Sequence, residues 1–543
     1  MQIVRIHEGS TERPPARIVG AKAANLAVMA SLGLPVPPAF VLPVELCAAV
    51  VNGEADAGQK LAEGLREGIA FLHRVCDRQF GDRRRPLLVS VRSGAERSMP
   101  GMLDTVLDVG CNAGALHGLI RMTGNPHFAF DCRRRFLESY GTVVLRLDAA
   151  VLKKRLDQRI SAESCDNERD LDSEALERLA ESYQQAIEDE NNLAVPEDPM
   201  QQLRAAAEAV HRSWMSERAV TYRRLEGLQH LQGTAITVQA MVFGNRGASS
   251  GAGVAFSRDP STGANAPVVD VMFSAQGEDI VSGKRTPETE NAIVRTLPAV
   301  AAQLREGLDR LEQEFADVQD VEFTIEDGKL WFLQTRAAKR TPQAAVRFAI
   351  DFVKERRITP EEALRRLQGI ALDRLARKRL VLDAEPVAHG TGAAAGIAVG
   401  RAAFDSASAA RLAASGDPVI LVRPDTSTAD VAGFAVAAGI VTAVGGRTAH
   451  AALVARQMDK PCIVGCAELA VEPAQHRARI KQAVLREGDW LSVDAGNGTI
   501  YLGRGQIVSD RAEAELAEIA TWRSQQAEPS GPRPPEQPLA RSA

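Results

Sequence analysis

GGRTAHAALVARQMDKPCIVG, residues 445–465, follows directly on the strand-like run GIVTAV of residues 439–444. Paired glycines permit a sharp turn and a close backbone approach. Beyond them, Ala451, Ala452, Val454 and Ala455 supply small apolar positions at helical spacing, so a helix is predicted to start near Thr448. His450 then falls in the first helical turn, where free backbone N–H groups and the positive end of the helix dipole gather. A phosphate carried on that imidazole is stabilised there. The competing reading is a histidine that merely caps or packs a helix start. These residues alone do not separate the two.

The motif itself separates them. The stretch resembles the phosphohistidine motif of the PEP-utilising enzymes, a family that includes pyruvate phosphate dikinase, PEP synthase and enzyme I of the sugar phosphotransferase system. That motif reads GG-x-T-(S/A/C)-H-(A/T)-A-x-x-A-R, and Gly445, Gly446, Thr448, His450, Ala452, Ala455 and Arg456 match it. The resemblance implies that His450 is the phosphorylated residue, with Thr448 and Arg456 as its catalytic neighbours. Thr448 corresponds to a regulatory phosphorylation site in plant dikinases. The lead-in LVRPDTSTADVAGFAVAAGIVTAV departs from the family at Asp425, where Glu is commoner, and at Thr428, where Pro is commoner.

Working outward toward the N-terminus, no G-x-x-x-x-G-K-[ST] loop occurs, so a Walker nucleotide site is not indicated. A spread set of charged residues appears instead. GAKAANLAVMASLGL has an apolar helical face and VPPAFVLP reads as extended. PLLVSVR is a buried strand ending at Arg92, followed by the polar loop SMPGMLDT. Residues 111–230 are predicted mostly helical. TAITVQAMVF and VVDVMF read as strands on either side of a turn-rich loop, GNRGASSGAG. DVEFTIEDGKLWFLQTR reads as a hairpin turning at Glu326-Asp327-Gly328. Phosphoryl transfer needs cations on the phosphates, carboxylates for magnesium and backbone amides over the transferred group. The residues supply all three, but any one of them taken singly is by default a solvated surface charge.

VRSGAERSMPGMLDTVLDVG, TVQAMVFGNRGASSGAGVAFSRDPSTG, SAQGEDIVSGKRTP and DVEFTIEDGKLWFLQTRAAKRTPQAAV are similar, in that order, to the ATP-grasp half of pyruvate phosphate dikinase. By that resemblance Lys22, Arg92, Arg135 and Arg336 contact ATP phosphates, and Gly101 and Thr105 belong to the loop over the γ-phosphate. Gln239, Asp270 and Glu278 are expected near the nucleotide, with Asp270 at a position where the family usually has Glu. Glu322 and Gln334 are expected to hold Mg²⁺ and triphosphate. Arg447 in GGRT is more like PEP synthase.

The expected fold class is therefore α/β and α+β multidomain, with an ATP-grasp nucleotide-binding domain followed by a swivelling α/β phosphohistidine domain. The expected boundaries are 1–340, with a helical insertion at about 111–230, then a helical linker 341–384, the phosphohistidine domain 385–505, and a helix with a disordered Pro-rich tail over 506–543. A length of 543 residues suits several domains. The family's PEP/pyruvate-binding barrel needs about 250 residues, more than follow Leu502. The expectation is thus a split dikinase: His450 takes the β-phosphoryl of ATP, phosphate takes the γ-phosphoryl, and the acceptor lies on a separate barrel protein. Either phosphate or water could take that γ-phosphoryl on the sequence alone. A homodimer is expected. The alternatives are an antibiotic-type small-molecule phosphotransferase and a non-catalytic ATP-binding regulatory paralogue.

A net charge of −5 argues against a general nucleic-acid binder. There is no long apolar run for a membrane span and no apolar signal core at the N-terminus, and the seven cysteines are scattered, so the expected location is cytoplasmic.

Overall fold

The computed structural model describes residues 2–97, 99, 102–191, 194–372, 376–425, 430–447 and 449–527. The chain is a mixed α/β assembly with several sheets. Two five-stranded antiparallel sheets make up the first part. The first has the order Val4–Ile6, Ala39–Leu42, Ala235–Ala240, Val89–Gly94 and Thr105–Val109. A long helical excursion fills the gap in sequence between its last two strands, 105–109 and 235–240. Its helices begin where short polar residues can cap them. Asn112 accepts from the Ala115 N–H, Asn125 from that of Phe128 ahead of Pro126, and Asp198 from that of Met200.

The second sheet has the order Glu288–Thr289, Val268–Phe273, Gly251–Phe256, Gln319–Glu326 and Lys329–Ala337. The predicted hairpin is present, and φ is positive at both Asp327 (48°) and Gly328 (76°), as a tight two-residue turn requires. One expectation needs correction. The end of GNRGASSGAG is not loop but the start of Gly251–Phe256, a fully buried central strand. A Cβ on Gly253 would lie 2.1 Å from the Phe323 ring, so the small residues that resembled a turn instead make room for the neighbouring strand's aromatic side chain. Helix Pro298–Phe315 covers this sheet, burying Leu304, Leu308 and Leu311 against Val321 and Phe332.

Helix Ala16–Ser31 joins the two sheets. It is broken at Gly20, whose φ of 77° and whose hypothetical Cβ, 2.0 Å from the Gly94 carbonyl oxygen, exclude any other residue. The break lets the Ala21 N–H donate to the Ala95 carbonyl at 2.9 Å, which pins the start of the helix beside the strand that carries Arg92.

The region after residue 340 departs from a helical linker. Helices Pro342–Lys354 and Pro360–Arg366 are present, but Ala376–Val381 is a strand. It pairs antiparallel with Gln506–Arg511, so the final helix starts at Glu513 rather than near residue 508. Trp522 and Ile519 of that helix pack on Val346 and Ile350.

Residues 388–502 form an eight-stranded mixed sheet. Its centre is parallel, running through Ile397–Ala403, Val419–Arg423, Gly439–Thr442 and Cys462–Val464. Helices Ser406–Ala414, Val431–Val436 and His450–Gln457 make the crossovers between these strands, as parallel pairing demands. Among the described residues, no helix is long and apolar enough to cross a membrane.

Candidate functional site

Strand Val89–Gly94 and the Gln319–Glu326/Lys329–Ala337 hairpin face each other across a cavity of about 270 Å³. Arg92, Thr105, Arg135, Gln239, Glu278 and Glu322 all border it. Arg92 reaches across its mouth. Its Nη1 donates to Gln239 Oε1 at 3.4 Å and its Nη2 to Gln334 Oε1 at 3.3 Å, and Glu322 lies 3.8 Å away. Arg336 lies 3.9 Å from the same Glu322 and donates to Asp320 Oδ2 at 2.8 Å. Lys22 completes the group. Burial, together with the charges of Arg92 and Arg336 and only partly offset by Glu322, lowers its pKa to about 8.

Three cations thus share two carboxylates, Glu322 and Asp320. The distances to Glu322 are too long for hydrogen bonds. Asp320 Oδ1 is buried with no hydrogen-bond partner. This cluster has unspent donors and an excess of positive charge, so it suits a polyanion. Asp320 was not anticipated. It lies two residues before Glu322 on the same strand, a spacing that puts both on one face and could have revealed it.

Oxygen donors suited to a hard divalent cation are also present. Glu322 and Gln334 are directly opposite each other in the hairpin register. Mg²⁺ takes one or two carboxylates plus substrate phosphates, so Glu322, Gln334 and the unpartnered oxygen of Asp320 fit it.

Arg135 borders the same cavity but belongs to another group. Its Nε donates to Asp131 at 2.9 Å, its Nη2 donates to both Asp279 oxygens at 3.2 and 3.1 Å, and Glu278 lies 3.7 Å away. Asp270 is placed elsewhere. It borders a second cavity of about 420 Å³, together with Thr286, Pro287, Gly445, Gly446 and Arg447.

That second cavity brings the two halves of the chain together. A Cβ on Gly446 would lie 2.6 Å from Asp270 Oδ2 and 2.3 Å from Pro287 Cγ, so only glycine allows this approach. The helix beyond begins at His450, after Ala449, and among the described residues no side chain caps it. Its first N–H groups are therefore available to an anion. Gly101 and Thr448 lie outside the described residues, as does the side chain of His450. Arg456 is buried at 2% exposure. Its Nη1 donates to the Ala393 carbonyl and its Nη2 to the Arg447 carbonyl, both at 2.9 Å, while the guanidinium stacks 5.3 Å from the Phe256 ring. Arg456 thus braces the GGRT loop against the second sheet.

One register row links the two cavities. Thr289 pairs with Asp270, Asp270 with Val254, Val254 with Glu322, and Glu322 with Gln334. Directly opposed residues share a face of the sheet. Asp270 and Glu322 are two strands apart, about 10 Å.

The family model "Pyruvate phosphate dikinase, AMP/ATP-binding domain" matches residues 57–304 and 295–357. The model "PEP-utilising enzyme, mobile domain" matches residues 415–498 and so encloses His450. The chain is 40% identical over 522 residues to the pyruvate, phosphate dikinase of Rhizobium meliloti (strain 1021), covering 93% of this chain and 58% of that protein. It is 39% identical over 510 residues to the enzyme of that name from Clostridium symbiosum, with the same coverages. It is also 39% identical over 513 residues to the chloroplastic pyruvate, phosphate dikinase 1 of Arabidopsis thaliana, covering 53% of that protein. The chain therefore spans a little over half the length of these relatives. With its first half matched by one model and its His450 segment by the other, the chain belongs to the pyruvate phosphate dikinase family of PEP-utilising enzymes.

Proposed function

We propose that this chain carries out ATP-dependent phosphoryl transfer of the pyruvate phosphate dikinase kind. In this reading residues 1–340 are an ATP-grasp nucleotide-binding unit and residues 385–505 a swivelling phosphohistidine unit. A nitrogen of His450 displaces AMP from the β-phosphorus of ATP. Inorganic phosphate then takes the γ-phosphoryl group as pyrophosphate, leaving phospho-His450. Pyruvate, which the relatives are named for together with phosphate, is the onward acceptor.

The observation that carries the reading is the row Asp270–Val254–Glu322–Gln334, which runs from the cationic cluster to the loop ahead of His450. Lys22, Arg92 and Arg336 hold the triphosphate, and their excess charge supports that role. Glu322 and Gln334 hold Mg²⁺, which when bound spreads the charge of the phosphates. The acceptor imidazole must be neutral, because its lone pair makes the new bond. The uncapped N–H groups of helix His450–Gln457 then stabilise the phosphate it carries.

The test is incubation with ATP labelled in its β-phosphoryl, Mg²⁺ and phosphate. The expected result is an acid-labile label on the wild type and none on His450→Ala. Equal labelling of the two proteins, or none in the wild type, overturns the proposal.

A further inference from the structure

Strand Thr105–Val109 does not pair evenly with Val89–Gly94. Val106 is opposite Val91 but Val109 is opposite Val89, so one extra residue bulges out between them. Asp108 sits in this bulge with φ of 53°. It is fully buried, neither of its carboxyl oxygens has a hydrogen-bond partner, and it borders the 270 Å³ cavity. Buried polar groups without partners are rare in folded proteins and costly to keep.

The groups that act on Asp108 come from three directions. Arg135, Asp131, Arg134 and Cys132 belong to helix Pro126–Ser139, Glu278 to the short helix Gly277–Val281, and Cys111 follows the strand itself. Arg135, the nearest source of compensation, is already hydrogen-bonded to Asp131 and Asp279. Burial, only partly relieved by Arg135, raises the Asp108 pKa to about 8, so at neutral pH it is mostly the protonated acid.

Its position is as informative as its charge. Val89, beside the bulge, and Arg92, in the cationic cluster, are three residues apart on one strand, about 10 Å. A nucleoside spans such a separation. Around Asp108 the cavity is apolar, walled by Leu107, Met241, Val242, Val254 and Leu333. A flat base fits such a wall, with a few polar groups fixing its identity.

We propose that Asp108 reads the base of the nucleotide, its neutral carboxyl pairing with the N1/N6 edge of adenine. The acid O–H donates to adenine N1 and the carbonyl oxygen accepts from the N6 amine. A protonated carboxyl offers one donor beside one acceptor, the complement of that edge. An ionised carboxylate offers two acceptors, which repel N1 and suit the adjacent N1–H and N2–H donors of guanine. The inference rests on the nucleotide-binding reading above and adds the residue that selects the base.

Binding of ATP and of GTP, each with Mg²⁺, is measured at pH 7 and pH 9 on the wild type and on Asp108→Asn. Lys22 acts on the phosphates common to both ligands, so its titration cancels in the ratio of affinities. For a group titrating near pH 8 the neutral fraction falls about tenfold over this interval, so the wild-type preference for ATP should shrink at least about tenfold. Asparagine tolerates the positive φ, keeps a donor beside an acceptor and does not titrate, so the variant should hold its preference at both pH values. A wild-type ratio that does not change with pH, or an equal change in Asp108→Asn, overturns the inference. A wild type that binds neither nucleotide overturns the nucleotide-binding reading itself.

Discussion

Two arginine-rich clusters border the same cavity and have opposite electrostatic designs. Around Arg134 and Arg135 every charge is answered at close range. Arg134 reaches Asp131 and Glu138 at 2.8 Å, and Arg135 reaches Asp131 at 2.9 Å and Asp279 at 3.1 Å. Burial would raise the Asp131 carboxyl, but Arg135 and Arg134 hold it well below the usual carboxylate range. Around Lys22, Arg92 and Arg336 the ion pairs with Glu322 are long, and burial plus like charge lowers the Lys22 pKa to about 8. Residue type does not distinguish the two groups. Saturated, short-range pairing suits the first cluster to holding the fold, and unspent donors suit the second to an anion.

Arg135→Met breaks this comparison most severely. It takes from Asp131 and Asp279, in a largely water-excluded place, the cation they share, leaving Asp131 to Arg134 and Asp279 to Arg169 at 3.5 Å, and breaking a buried pair in this way costs up to about 3–5 kcal/mol. Denaturant unfolding should show that loss, and a loss below about 1 kcal/mol would mean that the cluster does not hold the fold. Arg92→Met is the opposite experiment. Its hydrogen bonds to Gln239 and Gln334 are long, Glu322 lies 3.8 Å away and its neighbours carry like charge, so unfolding should barely change. Affinity for ATP should fall by about 2–3 kcal/mol, roughly thirty- to a hundred-and-fiftyfold, as for removal of a charged hydrogen-bond donor. Equilibrium binding and unfolding measured on the same preparation separate the two effects.

The sequence was most legible where local pattern and local pairing coincide. The hairpin at Glu326-Asp327-Gly328 and the helix at His450 are set by residues adjacent in the chain, and both are present. The first three residues of Gly251–Phe256 read as loop because Gly253 makes room for a neighbour, Phe323, that is far away in sequence. Ala376–Val381 was hidden for a similar reason, since its partner Gln506–Arg511 lies beyond the whole eight-stranded sheet. At the cavity, the motifs gave the residue types but not their division into two clusters. That division depends on how many carboxylates lie within hydrogen-bond reach of each guanidinium, two for Arg134 and Arg135, one for Arg336 and none for Arg92, and no spacing along a strand encodes it. Asp108 carried no signal either, because its bulge arises from register with another strand.

The smallest expected effect is a pH dependence that tests the anion-binding cluster without altering its shape. In the empty protein Lys22 titrates at about 8 rather than 10.5, so above pH 8 the cluster has lost one of its cations. Bound phosphates favour the ammonium form and raise that pKa, so binding takes up a proton above pH 8. The Lys22 contribution to ATP affinity should therefore be flat below pH 8 and fall as pH rises beyond it, by at most about tenfold, or 1.4 kcal/mol, per unit. For stability the sign is the reverse. A lysine whose pKa is depressed by folding destabilises the empty protein while charged, and that penalty fades as pH rises from about 8 toward 10.5. Lys22→Met should bind ATP more weakly at pH 7 and keep only the part of the slope between pH 8 and 9 that Asp108 contributes, and the same substitution combined with Asp108→Asn should lose the slope altogether. If the variant keeps the wild-type slope, the titrating group lies elsewhere, and the cationic cluster owes its affinity to Arg92 and Arg336 alone.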